Sequence, residues 1–547
     1  MKKNLPVLVL IILGMSCMKK EKADTIIHNA RIETVDGDFS HAQSMAISGD
    51  SIVEVGPEHM ILNKYTSDHI IDLENRFVYP GFIDAHSHFY GYAEQLGRID
   101  LTSVSNREEI CQKVGEWLKS KNGDWIIGRG WDNTTWDDKG FPDKACLDEK
   151  FPDKFIVLKR VDGHAALVNQ KVLDLAGINA DSQVEGGQII TENGHCTGIL
   201  IDRAVDLIED LIPDTDESSM KELLREAEKN CFAVGLTSVC DAGLDRKYVE
   251  VLRKMHRDGE LSIKLYIMLN PSPENFEHYL PQGPIFKRDI SICSFKFYAD
   301  GALGSRGAYL LQPYSDGDGE YRGLVLTPED SLMKFAEKLG PTDFQMNTHA
   351  IGDGAVDMML HIYAGVLEGT NDRRWRIEHA QVVAEKDMEM FGKYNIIPSV
   401  QPTHCTSDMD WAIDRLGEER IDQAYAYRDL MEENGMIAFG TDFPVESIDP
   451  LNTLLSAVKR TDREGNPPGG YRDEEAIDFK SSIRAMTIWA ALANREEKSK
   501  GSLEAGKKAD FVVFNRDLSL LDASNMADYF VESTWLNGVK VYSRGEK

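Results

Sequence analysis

Residues 82–88 read "FIDAHSH", an apolar run that ends in two histidines one residue apart. Such a run reads as a β-strand, in which residues i and i+2 share one side. His86 and His88 then point the same way, and two imidazoles so placed can grip one cation, at about 2.0–2.1 Å for zinc. The pair alone is weak, because a chain with 14 histidines brings two close together readily by accident. Its meaning depends on the rest of the chain.

Seven more strand-like runs lie downstream, at 236–243, 262–270, 293–301, 344–350, 374–380, 396–404 and 436–442. Helical patterns such as "SSMKELLREAEKNCFAVG" and "KYVEVLRKMHRDG" lie between most of them. Eight strands alternating with helices predict an α/β fold, a (β/α)8 TIM barrel. The gap after the first strand is too long for one crossover helix. Residues 120–205 hold strand-like runs of their own, which predicts an inserted α+β subdomain after barrel strand one. β-rich runs at 24–80 and 497–547 predict a small composite β-sandwich built from both termini, leaving 81–496 for the barrel and its insertion.

Barrel chemistry collects at the C-terminal ends of the strands. Those ends carry His86 and His88 on strand one, His349 on strand five, His379 on strand six and Asp442 on strand eight, with Lys296 inside strand four. Each residue has an ordinary alternative. A lone His349 or His379 is more often a hydrogen-bonded structural histidine. Asp442 would serve as a helix cap or turn residue. Lys296 sits among Phe295, Phe297 and Tyr298, where an unpaired ammonium is costly. It either snorkels out, pairs with Asp300, or has reacted with CO2 to give a carbamate able to bridge two metals. Ligand-type residues at five strand ends together point to a metal centre.

Selectivity would come from loops and insertion. "GRGWDNTTW" offers Trp131 and Trp136 as aromatic walls, and "GALGSRGA" offers Arg306 for a substrate carboxylate. The alternative is that the tryptophans pack the insertion and Arg306 makes an internal salt bridge.

The segments "PGFIDAHSH", "FKFYADGALGSRGA", "NTHAIGDGA", "RIEHAQ", "SVQPTH", "FGTDFPV" and "GSLEAGKKADFVVFN" together resemble the amidohydrolase superfamily. The similarity is to its amidohydrolase 3 branch, with N-substituted formamide deformylase, and spans about residues 24 to 543. It implies a barrel beside a β-sandwich and a centre of one or two metal ions, Zn2+ or else iron, manganese or cobalt. By motif the ligands are His86, His88, Lys296 (carboxylated as an option), His349, His379 and Asp442. "RVDGHAALVN" matches a histidine segment of the branch, making His164 a candidate to touch substrate and steady an oxyanion, with a structural role as the alternative. The implied activity is that of a metal-dependent hydrolase of C–N bonds other than peptide bonds, working through a metal-activated hydroxide. Asp442 would accept the water proton and pass it to the leaving amine. The ligands alone leave open a lactam, ester or deamination substrate, or a non-catalytic surface binding protein.

The N-terminus and the overall composition set where the protein works and with what. "MKKNLPVLVLIILGMSCMKKEK" pairs Lys2 and Lys3 with an apolar stretch too short to span a bilayer, then Cys17. It resembles a lipoprotein signal: residues 1–16 a signal peptide, Cys17 lipidated, 17–23 a tether, the protein exported and anchored to the bacterial cell envelope on its periplasmic or surface face. An ordinary signal peptide is the alternative. Hydrophobic content of 42% and charged content of 28% are those of a soluble globular protein. The net charge of -30 argues against nucleic acid and anionic membrane surfaces as partners. The expected partners are a small-molecule substrate, a membrane through the lipid anchor only, and a second copy where the chain forms a homodimer. Seven cysteines come after Cys17 with no CxxC pair, and read as buried free thiols with room for one disulfide that spacing does not assign.

Overall fold

A computed structural model describes residues 20–545 apart from 120–122, 134–135, 161–164, 185–186, 210, 214 and 318. The expected signal peptide, Cys17 and His164 lie outside the described residues.

Among the described residues, eight parallel strands run in chain order around a barrel: Phe82–Ser87, Leu236–Leu244, Lys264–Leu269, Ile290–Tyr298, Gln345–Ala350, Arg376–His379, Ile397–Val400 and Ala438–Phe439. They are almost entirely buried, as strands with helices outside and packed side chains inside must be. The short strand Ile285–Lys287 adds antiparallel to the start of strand four. Register keeps the ends level: Tyr298 pairs with His349, and Ala350 with His379.

Strands eight and one close the barrel by a few specific bonds. The Asp442 amide donates to the His86 carbonyl at 2.7 Å, and the His88 amide to the Phe443 carbonyl at 2.8 Å. Thr441 Oγ1 donates to the buried Asp84 carboxylate at 2.7 Å. A side chain at Gly440 would put its Cβ 2.5 Å from the His86 nitrogen, so only glycine allows the two backbones to meet there.

The terminal regions share a β-sandwich. One sheet orders Ser51–Gly56, Ser44–Ser48, Thr25–His28 and His69–Asp72; the other orders Val539–Ser543, Val531–Leu536, Phe511–Phe514, Phe77–Pro80, Arg31–Glu33 and His41–Ala42. Phe511–Phe514 pairs antiparallel with Phe77–Pro80, which joins the two chain ends in one sheet. Ile27, Ile47, Val78, Phe511 and Val513 fill the space between the sheets. The sandwich is tied to the barrel by a buried ion pair between Lys264 of strand three and Asp510, each 4% exposed.

The insertion has its own mixed sheet, ordered Ile99–Asp100, Trp125–Trp131, Phe155–Arg160, Ala165–Val168, His195–Asp202 and Gly187–Glu192. It begins ahead of residue 120, because a two-residue edge strand leaves no alternation to read. A disulfide between Cys111 and Cys146 joins helix Arg107–Trp117 to helix Ala145–Lys150. Cys196, Cys231, Cys240, Cys293 and Cys405 are buried free thiols. Among the described residues no helix is long and apolar enough to cross a membrane.

Candidate metal centre

The fold brings all six expected ligand residues to one end of the barrel, and three of them into one tight group. One ligand atom each from His86, His88 and Asp442 lies within 4.8 Å of the others. Asp442 Oδ1 is 3.1 Å from His88 Nε2 and 3.7 Å from His86 Nε2. Lys296 Nζ lies 3.0 Å from His86 Nε2, wholly inside the barrel. The rings of His379 and His86 are 4.7 Å apart, and those of His349 and His379 4.4 Å apart, forming the second side of the site.

Three imidazoles are oriented by the group on their other nitrogen. His86 Nδ1 donates to Glu378 at 2.5 Å, His88 Nδ1 to the Ala242 carbonyl at 3.0 Å, and His379 Nδ1 to Gln401 Oε1 at 2.8 Å. Each bond fixes the tautomer and leaves Nε2 with its lone pair for the site. His379 and Asp442 take left-handed backbone conformations, φ 75° and 60°, at the ends of their strands. That turn is uncommon for residues with a Cβ and occurs where surrounding structure enforces it.

Electrostatics keep His86, His349 and His379 neutral. Burial lowers His349 to about 3 and His379 well below its ordinary value, with the Lys296 charge and neighbouring histidines adding to it. His86 is lowered by burial and by Lys296, against the pull of Glu378. Burial brings the Lys296 amine down to about 8, although Glu378 and Asp442 pull the other way. Burial would raise Asp442, but His88, His86 and Lys296 hold its carboxyl well below the usual range. Glu378 is likewise held at about 2, against burial, by His86, Arg376 and Lys296.

This donor set suits a divalent cation. Asp442 Oδ1 and His349 Nε2 are buried without a directed hydrogen bond, an expensive condition for a site that holds nothing. Neutral imidazoles and an ionised carboxylate are the protonation states that metal binding requires. His349 Nε2 lies 3.6 Å from Asp300 Oδ1, whose carboxylate accepts from the backbone amides of Tyr309, Ile351 and Gly352. Asp300 therefore secures the loop after strand four and does not pair with Lys296.

The expected substrate contacts are placed otherwise. Trp131 and Trp136 are 0% and 3% exposed in the core of the insertion, their indole N–H groups donating to the carbonyls of Leu158 and Val104. With ring and N–H both committed, they follow the packing alternative. Arg306 donates two hydrogen bonds to Asp316, at 3.0 and 2.9 Å, which is the internal salt bridge.

Glu378 and Gln401 join the site although strand patterning does not single them out, and His404 joins it from the end of the run 396–404. Glu378 directly precedes an expected ligand, where strand alternation points it away. His404 lies past the end of strand seven, on helix Pro402–Ser407. Its signal is its place at the end of the run 396–404, within "SVQPTH", although the strand itself stops at Val400.

Residues 69–542 match the Amidohydrolase family. The protein LONG AFTER FAR-RED 3 of Arabidopsis thaliana is 32% identical over 543 residues, covering 95% of this chain and 92% of that one. N-substituted formamide deformylase of Arthrobacter pascens is 24% identical over 545 residues, covering 95% and 98%. The crystal structure of an uncharacterised metal-dependent hydrolase from Pyrococcus horikoshii OT3 superposes with a TM-score of 0.78 at 26% identity, covering 91% of this chain and 99% of that one.

Proposed function

The chain belongs to the amidohydrolase family, whose members imply a divalent metal and hydrolytic chemistry, and from that premise we propose that it hydrolyses a carbon–nitrogen bond in an amide-like small molecule. The observation that carries the reading is Asp442. It stands 3.1 Å from a ligand histidine, is kept ionised by its neighbours, and has one oxygen left without a directed hydrogen bond. Likeness to a deformylase of N-substituted formamides supports an amide over other acyl substrates.

A divalent ion held by His86, His88 and Asp442, with His349, His379 and Lys296 beside it, would lower the pKa of a bound water and polarise the substrate carbonyl. The protein's own residues do the rest. Asp442 takes a proton from the attacking water and returns it to the departing nitrogen. Glu378, Gln401 and the Ala242 carbonyl hold three imidazoles in the tautomer that faces the site. The donor set favours zinc. Lys296, buried and shifted toward its neutral amine, is proposed to carry a carbamate. Export and anchoring through Cys17 belong to the same proposal, supported by the Cys111–Cys146 disulfide, since disulfides persist in oxidising compartments.

Bound-metal analysis of purified protein followed by turnover of a panel of N-formyl and N-acyl amines tests the reading. A metal-loaded protein inactive on every amide would remove it. The mass of the mature N-terminal peptide tests lipidation.

A further inference from the structure

Strand seven ends without an expected ligand, yet the helix after it delivers a functional group to the same place. His404 Nε2 is buried, makes no hydrogen bond, and lies 3.9 Å from Asp442 Oδ2. Its ring is 6.2 Å from that of His379, and its side chain is 13% exposed. The backbone is fixed: the His404 amide donates to the Gln401 carbonyl at 3.0 Å, and the Asp408 amide to the His404 carbonyl at 2.9 Å. The nearby Asp408 carboxylate does not hold the ring, because its Oδ2 accepts from Gln381 Nε2 and the Tyr425 hydroxyl.

Asp442 therefore shows one oxygen to the ligand histidines and the other to His404. A separation of 3.9 Å is too long for a hydrogen bond. It suits two groups that share a third atom, since a nitrogen placed about 2.9 Å from each fits at the apex of the triangle. We infer that His404 is a substrate-contacting residue whose Nε2, with Asp442 Oδ2, holds the leaving-group nitrogen of the scissile bond. The inference rests on the C–N reading above and gives it a location.

In the step so served, the carbon–nitrogen bond breaks and its electron pair stays on nitrogen. The proton that Asp442 took from water moves to that nitrogen, the water oxygen remains on carbon, and the Asp442 carboxylate is restored. His404 transfers no proton: its Nε2 accepts from the N–H of the leaving nitrogen and so turns the nitrogen lone pair toward Asp442.

The test compares metal-loaded wild type, His404→Ala and His404→Gln on N-butylformamide, whose amine leaves only when protonated, and on p-nitrophenyl acetate, whose phenolate leaves unaided. Metal content and thermal midpoint should match in all three. For His404→Ala, kcat/KM on N-butylformamide should fall by about 100-fold, the scale of a misplaced reacting group, with p-nitrophenyl acetate changed by less than about threefold. His404→Gln, whose amide reaches near the former Nε2, should recover about tenfold. Equal losses on both substrates, or lost metal, would overturn the contact. A crystal structure with butylamine should place its nitrogen between His404 Nε2 and Asp442 Oδ2, and an amine seated elsewhere overturns the inference. Wild type inactive on every amide overturns the reaction class instead, because the butylamine position is read without turnover.

Discussion

His86 Nδ1 lies 2.5 Å from Glu378 Oε2, with both side chains wholly buried. A carboxylate behind a metal-binding imidazole raises its basicity and fixes the ring, and such partners are typically worth 10–100-fold in metal affinity or activity. Glu378→Gln keeps the shape and removes the charge. Its metal affinity, read by competition with a chromophoric chelator, should fall by about 10–100-fold. Unchanged affinity would mean that His86 is oriented by packing alone.

Stripping the metal should abolish hydrolysis while leaving the barrel folded, since the barrel has a large apolar core that does not depend on the site at its end. Dialysis against a chelator followed by far-UV circular dichroism and assay checks both parts. Asp442→Asn should keep the fold and lose about 100-fold or more in kcat, the scale of a lost general base.

Trp131 offers a direct test of packing against binding. Its indole fills the insertion core and its N–H is satisfied. Trp131→Ala should cost about 3–5 kcal/mol of stability in the insertion. A variant of normal thermal stability with only a raised KM would restore the pocket-wall reading.

The Cys111–Cys146 bond closes a loop with a sequence separation of 35. In the chain-entropy picture a loop of that length contributes about 4 kcal/mol. Cys111→Ser with Cys146→Ser should lower the melting midpoint of the insertion. Thiol titration of the denatured, unreduced protein should find two fewer thiols than after reduction.

Lys264 and Asp510 pair beneath the barrel with 4% exposure each. Removing one partner of such a pair strands a buried charge, at about 3–5 kcal/mol. Asp510→Ala should show that loss in denaturant unfolding, whereas replacing both residues by apolar ones of similar size should recover most of it.

Much of this architecture is legible in the sequence because period and position agree. Strands rich in β-branched and aromatic residues end in His86, His88, His349 and Asp442, and barrel geometry turns scattered ends into one mouth. The residues that escape do so for local reasons. Glu378 and His379 are sequence neighbours that both serve the site, which strict alternation forbids; the left-handed turn at His379 redirects its side chain. His404 ends the strand-like run 396–404, but the strand stops at Val400 and a helix opened by Pro402 carries the residue. Trp131 and Trp136 have the composition of a pocket wall, and only their burial and spent N–H groups place them in a core. The insertion boundary is hidden by the brevity of Ile99–Asp100.

The seam between strands eight and one orders events in time. His86 and Asp442 are held together by the Asp442 amide and the Asp84–Thr441 bond, across 357 residues of chain in the latter case. A ribosome has released the two histidines long before it makes the aspartate. A chain stopped short of Asp442 carries the site's histidines and Lys296 but not the carboxylate that completes the His86, His88 and Asp442 group. On the proposed reading metal retention would report that the last barrel strand has docked, and a stalled or truncated product should be recognisable as the form that elutes metal-free.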